Sequence, residues 1–177
     1  MAIRHRLTPT LFDKLVADLE ISGLRDMSAE NPEVSREKFR YYAVPRLERF
    51  NETALRATIR RELAWLLNTT NFEALTDLEP YPHVQTSVLN YGLSDLAGKA
   101  LTRRSVLQRA REIRRAIRLF EPRLEEKSLT VEPTVDEERP QAITFTIHGD
   151  ITAAAHAMPV KFRTEIDPDT VAVDVRE

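Results

Sequence analysis

The hydrophobic period of the chain changes at Phe120-Glu121-Pro122-Arg123. Around and ahead of this point Val106, Ala110, Ile113, Ile117, Phe120 and Leu124 step by four, three, four, three and four, the spacing of one face of an α-helix. Beyond it Leu129, Val131 and Val135, then Ile143, Phe145 and Ile147, then Val160, Phe162 and Ile166, and last Val171, Val173 and Val175 alternate with polar residues. That is the period of half-buried strands. Proline lacks an N–H, clashes with the preceding turn and pushes the residue before it out of the α region, so the helix stops here. Most connections between the later segments are too short for a crossover helix, which makes the strands antiparallel. The pattern predicts an α+β fold, with N-terminal helices packed on one face of a C-terminal four-stranded antiparallel sheet.

The helix before the proline spans about 105–121, with Ser105 and Gln108 as a capping-box pattern. A second helix is expected from about Glu52 to Asn68. Asn51 is its N-cap, Leu55, Ile59, Leu63 and Leu66 form its buried stripe, and Arg56, Arg60 and Arg61 lie off that stripe. Asn68-Thr69-Thr70-Asn71 ends it with poor helix formers. Trp65 packs on its flank as a core residue. Thr8 to Leu19 reads as a short helix with Leu11, Leu15 and Leu19 on one side. Residues 72–98 read as loop, with Pro80 and Pro82 excluding helix and a packed turn at Asn90-Tyr91-Gly92. The expected organisation is an N-terminal helix and connection over residues 1–50, followed by one domain over 51–177.

The 177 residues are enough for a sizeable core, and 31% of them are charged. No apolar run approaches the roughly 18 residues that span a bilayer. No signal-like h-region follows the basic start. Cysteine is absent, which fits a reducing compartment, so the expected location is the cytoplasm, without membrane insertion. Four glycines leave no phosphate-cradling loop. His5, His83, His148 and His156 have no ligand spacing, so neither a metal nor another cofactor is expected. Residues 100–127 hold nine Lys/Arg against four Glu, a net of +5, and residues 128–177 hold four against ten acids, a net of −6. The basic helix and the acidic segment are complementary, within the chain or between subunits.

Glu121 and Arg123 stand two apart, which is not a helical ion-pair spacing. Each is expected to reach for a different group, with a partner outside the chain as a candidate.

The order Leu63-Ala-Trp-Leu-Leu-Asn-Thr69, Ser87-Val-Leu-Asn-Tyr-Gly-Leu93 with Asp95-Leu96 and Gly98, and Glu121-Pro122-Arg123 resembles the type VI secretion baseplate subunit TssE. That family is related to the wedge protein of contractile phage tails that starts sheath assembly. The similarity runs from about residue 50 to the C-terminus, with a departure at Ser94, where the family commonly has proline. The resemblance implies a cytoplasmic subunit lodged among other baseplate wedge subunits, with a fold similar to the conserved part of a sheath subunit. It further implies that Glu121, Pro122 and Arg123 contribute to wedge contacts, and that the protein offers the first sheath ring a template.

Three functions follow for comparison. A structural adaptor would dock through Glu121, Pro122 and Arg123, with Arg123 forking a partner carboxylate as lysine cannot. Arg123→Lys is then expected to impair assembly without unfolding the domain. Such an adaptor would receive sheath strands at the edge carrying Val171, Val173 and Val175. A hydrolase of sugar polymers, the "lysozyme-like" label that the family inherits, needs two carboxylates about 5–10 Å apart with one raised in pKa. Glu62, Asp95 and Glu121 show no such spacing. A nucleic-acid binder would use the eight arginines between 103 and 123, but no groove-reading motif accompanies them. The adaptor, without enzymatic activity, small-molecule substrate or nucleic acid, is the expected function.

Overall fold

A computed structural model describes residues 9–16, 51–95, 102–134, 143–152, 158–166 and 172–177. Its elements in chain order are α1 (Leu11–Val16), α2 (Glu52–Leu67), a 3-10 turn (Phe72–Ala74), α3 (Pro82–Gln85), a second 3-10 turn (Val88–Asn90), α4 (Arg103–Phe120), and strands β1 (Thr130–Thr134), β2 (Ile143–Ile151), β3 (Met158–Ile166) and β4 (Val173–Arg176). The strands form an antiparallel meander in the order β1-β2-β3-β4. The expected α+β architecture is present.

Helix α2 starts where Asn51 Oδ1 accepts from Ala54 N at 2.9 Å. Its stripe of Leu55, Ile59, Leu63 and Leu66 is buried. Helix α4 starts earlier than the sequence suggested. Thr102 is the N-cap and Ser105 the reciprocal N3 residue of the capping box, so Ser105 receives rather than opens the helix. Ala110, Ile113 and Ile117 are buried, with Val106 and Phe120 at the margin. Pro82 also departs from expectation. It occupies the first turn of the one-turn helix α3, where its missing N–H costs nothing.

Helix α2 lies along β4 and α4 along β1, and the two helices touch each other. Between helices and sheet, Phe145, Ile147, Ile151, Val160 and Phe162 fill the inner sheet face. The register Ile147↔Phe162 and Gly149↔Val160 puts these residues opposite one another, so one face is apolar and the other carries His148, Lys161 and Arg163 in solvent. Of helix α1, Leu11 is exposed while Asp13 is buried. Leu19, Val135, Val171 and the segment 96–101 lie outside the described residues. No described helix is long and apolar enough to cross a membrane.

Candidate functional site

The chain leaves α4 through a tight turn. Glu121 N still donates to Ile117 O at 2.8 Å, and Leu124 N then donates to Glu121 O at 3.1 Å. Pro122, exposed at the second position of that turn, has the fixed φ the position requires. The turn is stitched to the end of β2 by Glu125 N to Asp150 O at 2.8 Å and Thr152 N to Arg123 O at 2.9 Å. The backbone here fastens the helix pair to the sheet.

On either side of Pro122 the side chains of Glu121 and Arg123 turn toward each other. Arg123 Nε donates to Glu121 Oε1 and Arg123 Nη2 to Glu121 Oε2, each at 2.6 Å. Nη2 also pairs with Glu62 Oε2, and Nη1 donates to Thr58 Oγ1 at 3.3 Å. This corrects the expectation that Glu121 and Arg123 reach in different directions. A spacing of two fails inside a helix, but the turn has ended the helix, so the guanidinium can fold back onto the carboxylate as a planar fork.

Glu62 passes the network on. Its Oε1 accepts from Arg61 Nη2 at 2.8 Å, and Arg61 Nη1 donates to Asp13 Oδ1 at 2.7 Å. The Arg61 and Asp13 side chains have no solvent exposure. The Arg61 guanidinium carbon lies 4.8 Å from the ring centres of both Phe12 and Trp65, a weakly hydrated planar cation packed against two rings that meet each other edge to face. Asp13 Oδ2 also accepts from Thr10 N and Thr10 Oγ1 at 3.1 and 2.7 Å, so it caps α1 while pairing with α2. Asp13, Arg61, Glu62, Arg123 and Glu121 form one chain of charges binding α1, α2 and the exit of α4.

Three carboxylates share two guanidiniums. Burial raises the Glu62 pKa above its ordinary value, Arg123 opposes this, Glu121 adds to it, and Arg61 pulls it down again. Burial alone would lower Arg123, but the hydrogen bonds to Glu121 and the charges of Glu121 and Glu62 outweigh it and hold the guanidinium above the usual range. Tyr91 stands against the network, its hydroxyl 3.4 Å from the backbone oxygen of Glu62. Burial and the two carboxylates push its phenol up to about 12. With Phe12, Trp65 and Phe120 it borders a cleft of about 300 Å³ over Glu62 and Glu121.

The sequence reading missed Arg61 and Asp13. Arg61 was placed off the apolar stripe, which is correct for the α2 wheel, yet α1 covers that flank. Trp65 at i+4 from Arg61 was an available sign, as was the Thr10-x-x-Asp13 capping spacing. Among the described residues no cluster of three or more His, Asp or Glu is arranged to hold a metal.

Val173 and Val175 are buried against the core, and Val171 lies outside the described residues. The outer edge of β4 is occupied at Val173. Its N–H donates to Asn68 Oδ1 at 2.8 Å, and its carbonyl accepts from Asn68 Nδ2 at 2.8 Å. Asn68 Nδ2 also donates to Ala64 O at 2.7 Å, so the residue that ends α2 also mimics a strand partner.

Fold and site together define an α+β module whose helices are tied to one another by an internal charge brace and to its sheet by the backbone of the turn. The family model for the baseplate wedge protein gp25 matches residues 53–156, and the chain belongs to that family. The matched segment contains Arg61, Glu62 and the Glu121-Pro122-Arg123 turn but neither Asp13 nor β4. No individually curated protein matches the chain.

Proposed function

We propose that the protein is a structural subunit of a type VI secretion or similar contractile injection machine, working in the cytoplasm, docked among the other wedge subunits and templating the first sheath subunits. The single observation that carries this reading is the wedge-family match over residues 53–156, which takes in α2 from Thr53, α4 and the turn between helix and sheet, though not α1. In this reading the exposed Pro122 and the braced Arg123 present a corner of fixed shape to the wedge. Glu121 and Arg123 act mainly by holding that corner. The sugar-hydrolase reading loses ground because Glu62 and Glu121 are both engaged by Arg123, and a carboxylate held in a guanidinium fork is poorly placed to protonate or attack a substrate.

Sheath templating would use the β4 edge. Val173 turns its N–H and C=O away from β3 to Asn68, and alternate residues of an antiparallel strand point the same way, so Val175 offers the same pair of groups outward. Val175→Pro keeps an apolar side chain toward the core but removes the outward N–H. Co-expression with wedge and sheath subunits, followed by pull-down and sheath assembly, tests both halves of the reading. The expected result is a folded variant that still enters the wedge and no longer starts sheath. Normal sheath formation by that variant would overturn the templating reading, and failure of the unaltered protein to join a wedge would overturn the docking reading.

A further inference from the structure

The outward side of α4 carries Arg103, Arg104, Arg111, Arg114, Arg115 and Arg118, all exposed, with Leu107 among them at 44% exposure. At 100° per residue these fall within one third of the helix circumference. The only acid of this helix, Glu112, is turned away to Arg109 and Ser94. No described residue of the complementary acidic segment pairs with the face. Among the described residues its one ion pair is Arg118 with Glu126, and Glu126 precedes the sheet.

Beside the arginines a groove of about 350 Å³ runs between α4 and the loop 71–94. Leu93, Ala116, Leu119 and Phe120 give it apolar walls, Arg115 also lines it, and the two carboxylates on its lining, Glu73 and Glu112, are engaged by Asn90 and Arg109. Leu119 remains 39% exposed. A cationic face bordering an apolar groove fits a ligand that is anionic on one side and apolar on the other.

We propose that this surface docks an acidic amphipathic segment of a partner protein, with carboxylates on the arginines and apolar side chains in the groove at Leu119. Arginine forks carboxylates in two-toothed pairs and is enriched in protein interfaces. Duplex nucleic acid would satisfy the arginines but leave the groove and Leu107 without apolar contact. The charge geometry and the groove carry this inference without reference to the β4 edge.

The test uses the full chain and three probes of matched charge: a helical peptide of glutamates with leucines at every third or fourth position, the same peptide with serines for leucines, and a short DNA duplex. The leucine peptide should bind most tightly. Arg104→Glu, Arg111→Glu and Arg115→Glu together should weaken it by roughly tenfold or more. Leu119→Ser should weaken the leucine peptide while leaving the serine peptide unchanged. If the charge-reversed chain does not fold, the same three positions as glutamine give the same comparison. Equal binding of the two peptides, indifference to the arginine changes, or tighter binding of the duplex would each overturn the proposal.

Discussion

Arg61 and Asp13, 48 residues apart, meet as an ion pair in which neither side chain touches solvent. A buried pair of this kind adds little net stability compared with apolar side chains of the same volume, yet breaking it is costly because one charge is left without its partner. Asp13→Ala should therefore destabilise the protein by about 3 kcal/mol. Asp13→Leu combined with Arg61→Met should recover part of that loss. Urea unfolding of Asp13→Leu, Arg61→Met and the double variant measures the coupling.

Arg123 engages Glu121 through Nε and Nη2, Glu62 through the same Nη2, and Thr58 through Nη1. An ammonium is a single point and cannot reproduce that fork. Arg123→Lys should lose about 1–3 kcal/mol of stability, contrary to the expectation that it would spare the fold. Loss of wedge binding by this variant is informative only beside its thermal unfolding curve. A stability equal to that of the unaltered protein would argue against the brace.

The raised pKa of Glu62 makes stability pH-dependent in a definite direction. Below its ordinary value of 4.5 the group is protonated in both states. As pH rises, the unfolded chain releases the proton first, so stability is lost between 4.5 and the higher folded value. Carboxylates remote from Glu62 change stability over the same range, but they cancel in a difference against Glu62→Gln. The advantage of the unaltered protein over that variant should shrink as pH rises through this window. Tyr91 has the same sign at the alkaline end, where stability should fall between 10 and about 12. Tyr91→Phe should remove that fall, and the difference in phenolate absorbance between the unaltered protein and this variant, which keeps the other three tyrosines, follows the titration.

Gly92 has φ +118°, and a Cβ there would lie 2.3 Å from Thr69 O. The clash is with backbone that receives the Leu93 N–H at 2.8 Å, so it cannot swing aside. Gly92→Ala should cost about 3 kcal/mol or more, read by chemical denaturation. A loss below about 0.5 kcal/mol, as at ordinary surface positions, would contradict the close approach.

Periodicity reported local packing well and long-range cover poorly. The change of period at Pro122 was sufficient for the α+β order, because strands and helices bury faces with different repeats. The stripe Leu55, Ile59, Leu63 and Leu66 was legible for the same reason. Arg61 was not, since its cover comes from Phe12 and Asp13 on a distant helix, and a helical wheel shows only where a side chain points. The start of α4 slipped because Thr102 and Ser105 are both good caps and only the reciprocal bonds distinguish their roles. Asn68 was read as a helix stop. Nothing in its neighbours announced the bond to Val173, more than a hundred positions along the chain.

That bond sets a length threshold at the edge of the sheet. A visiting strand that reaches only Val173 must displace the Asn68 carboxamide, exchanging two hydrogen bonds for two of the same kind, and gains almost nothing. One that also reaches Val175 forms main-chain bonds with no side-chain amide to evict. Across the sheet, β1 contains Pro133, which can offer no N–H to a neighbour. The sheet is thus unequal at its two ends, with a missing donor at one and an edge that discriminates by reach at the other.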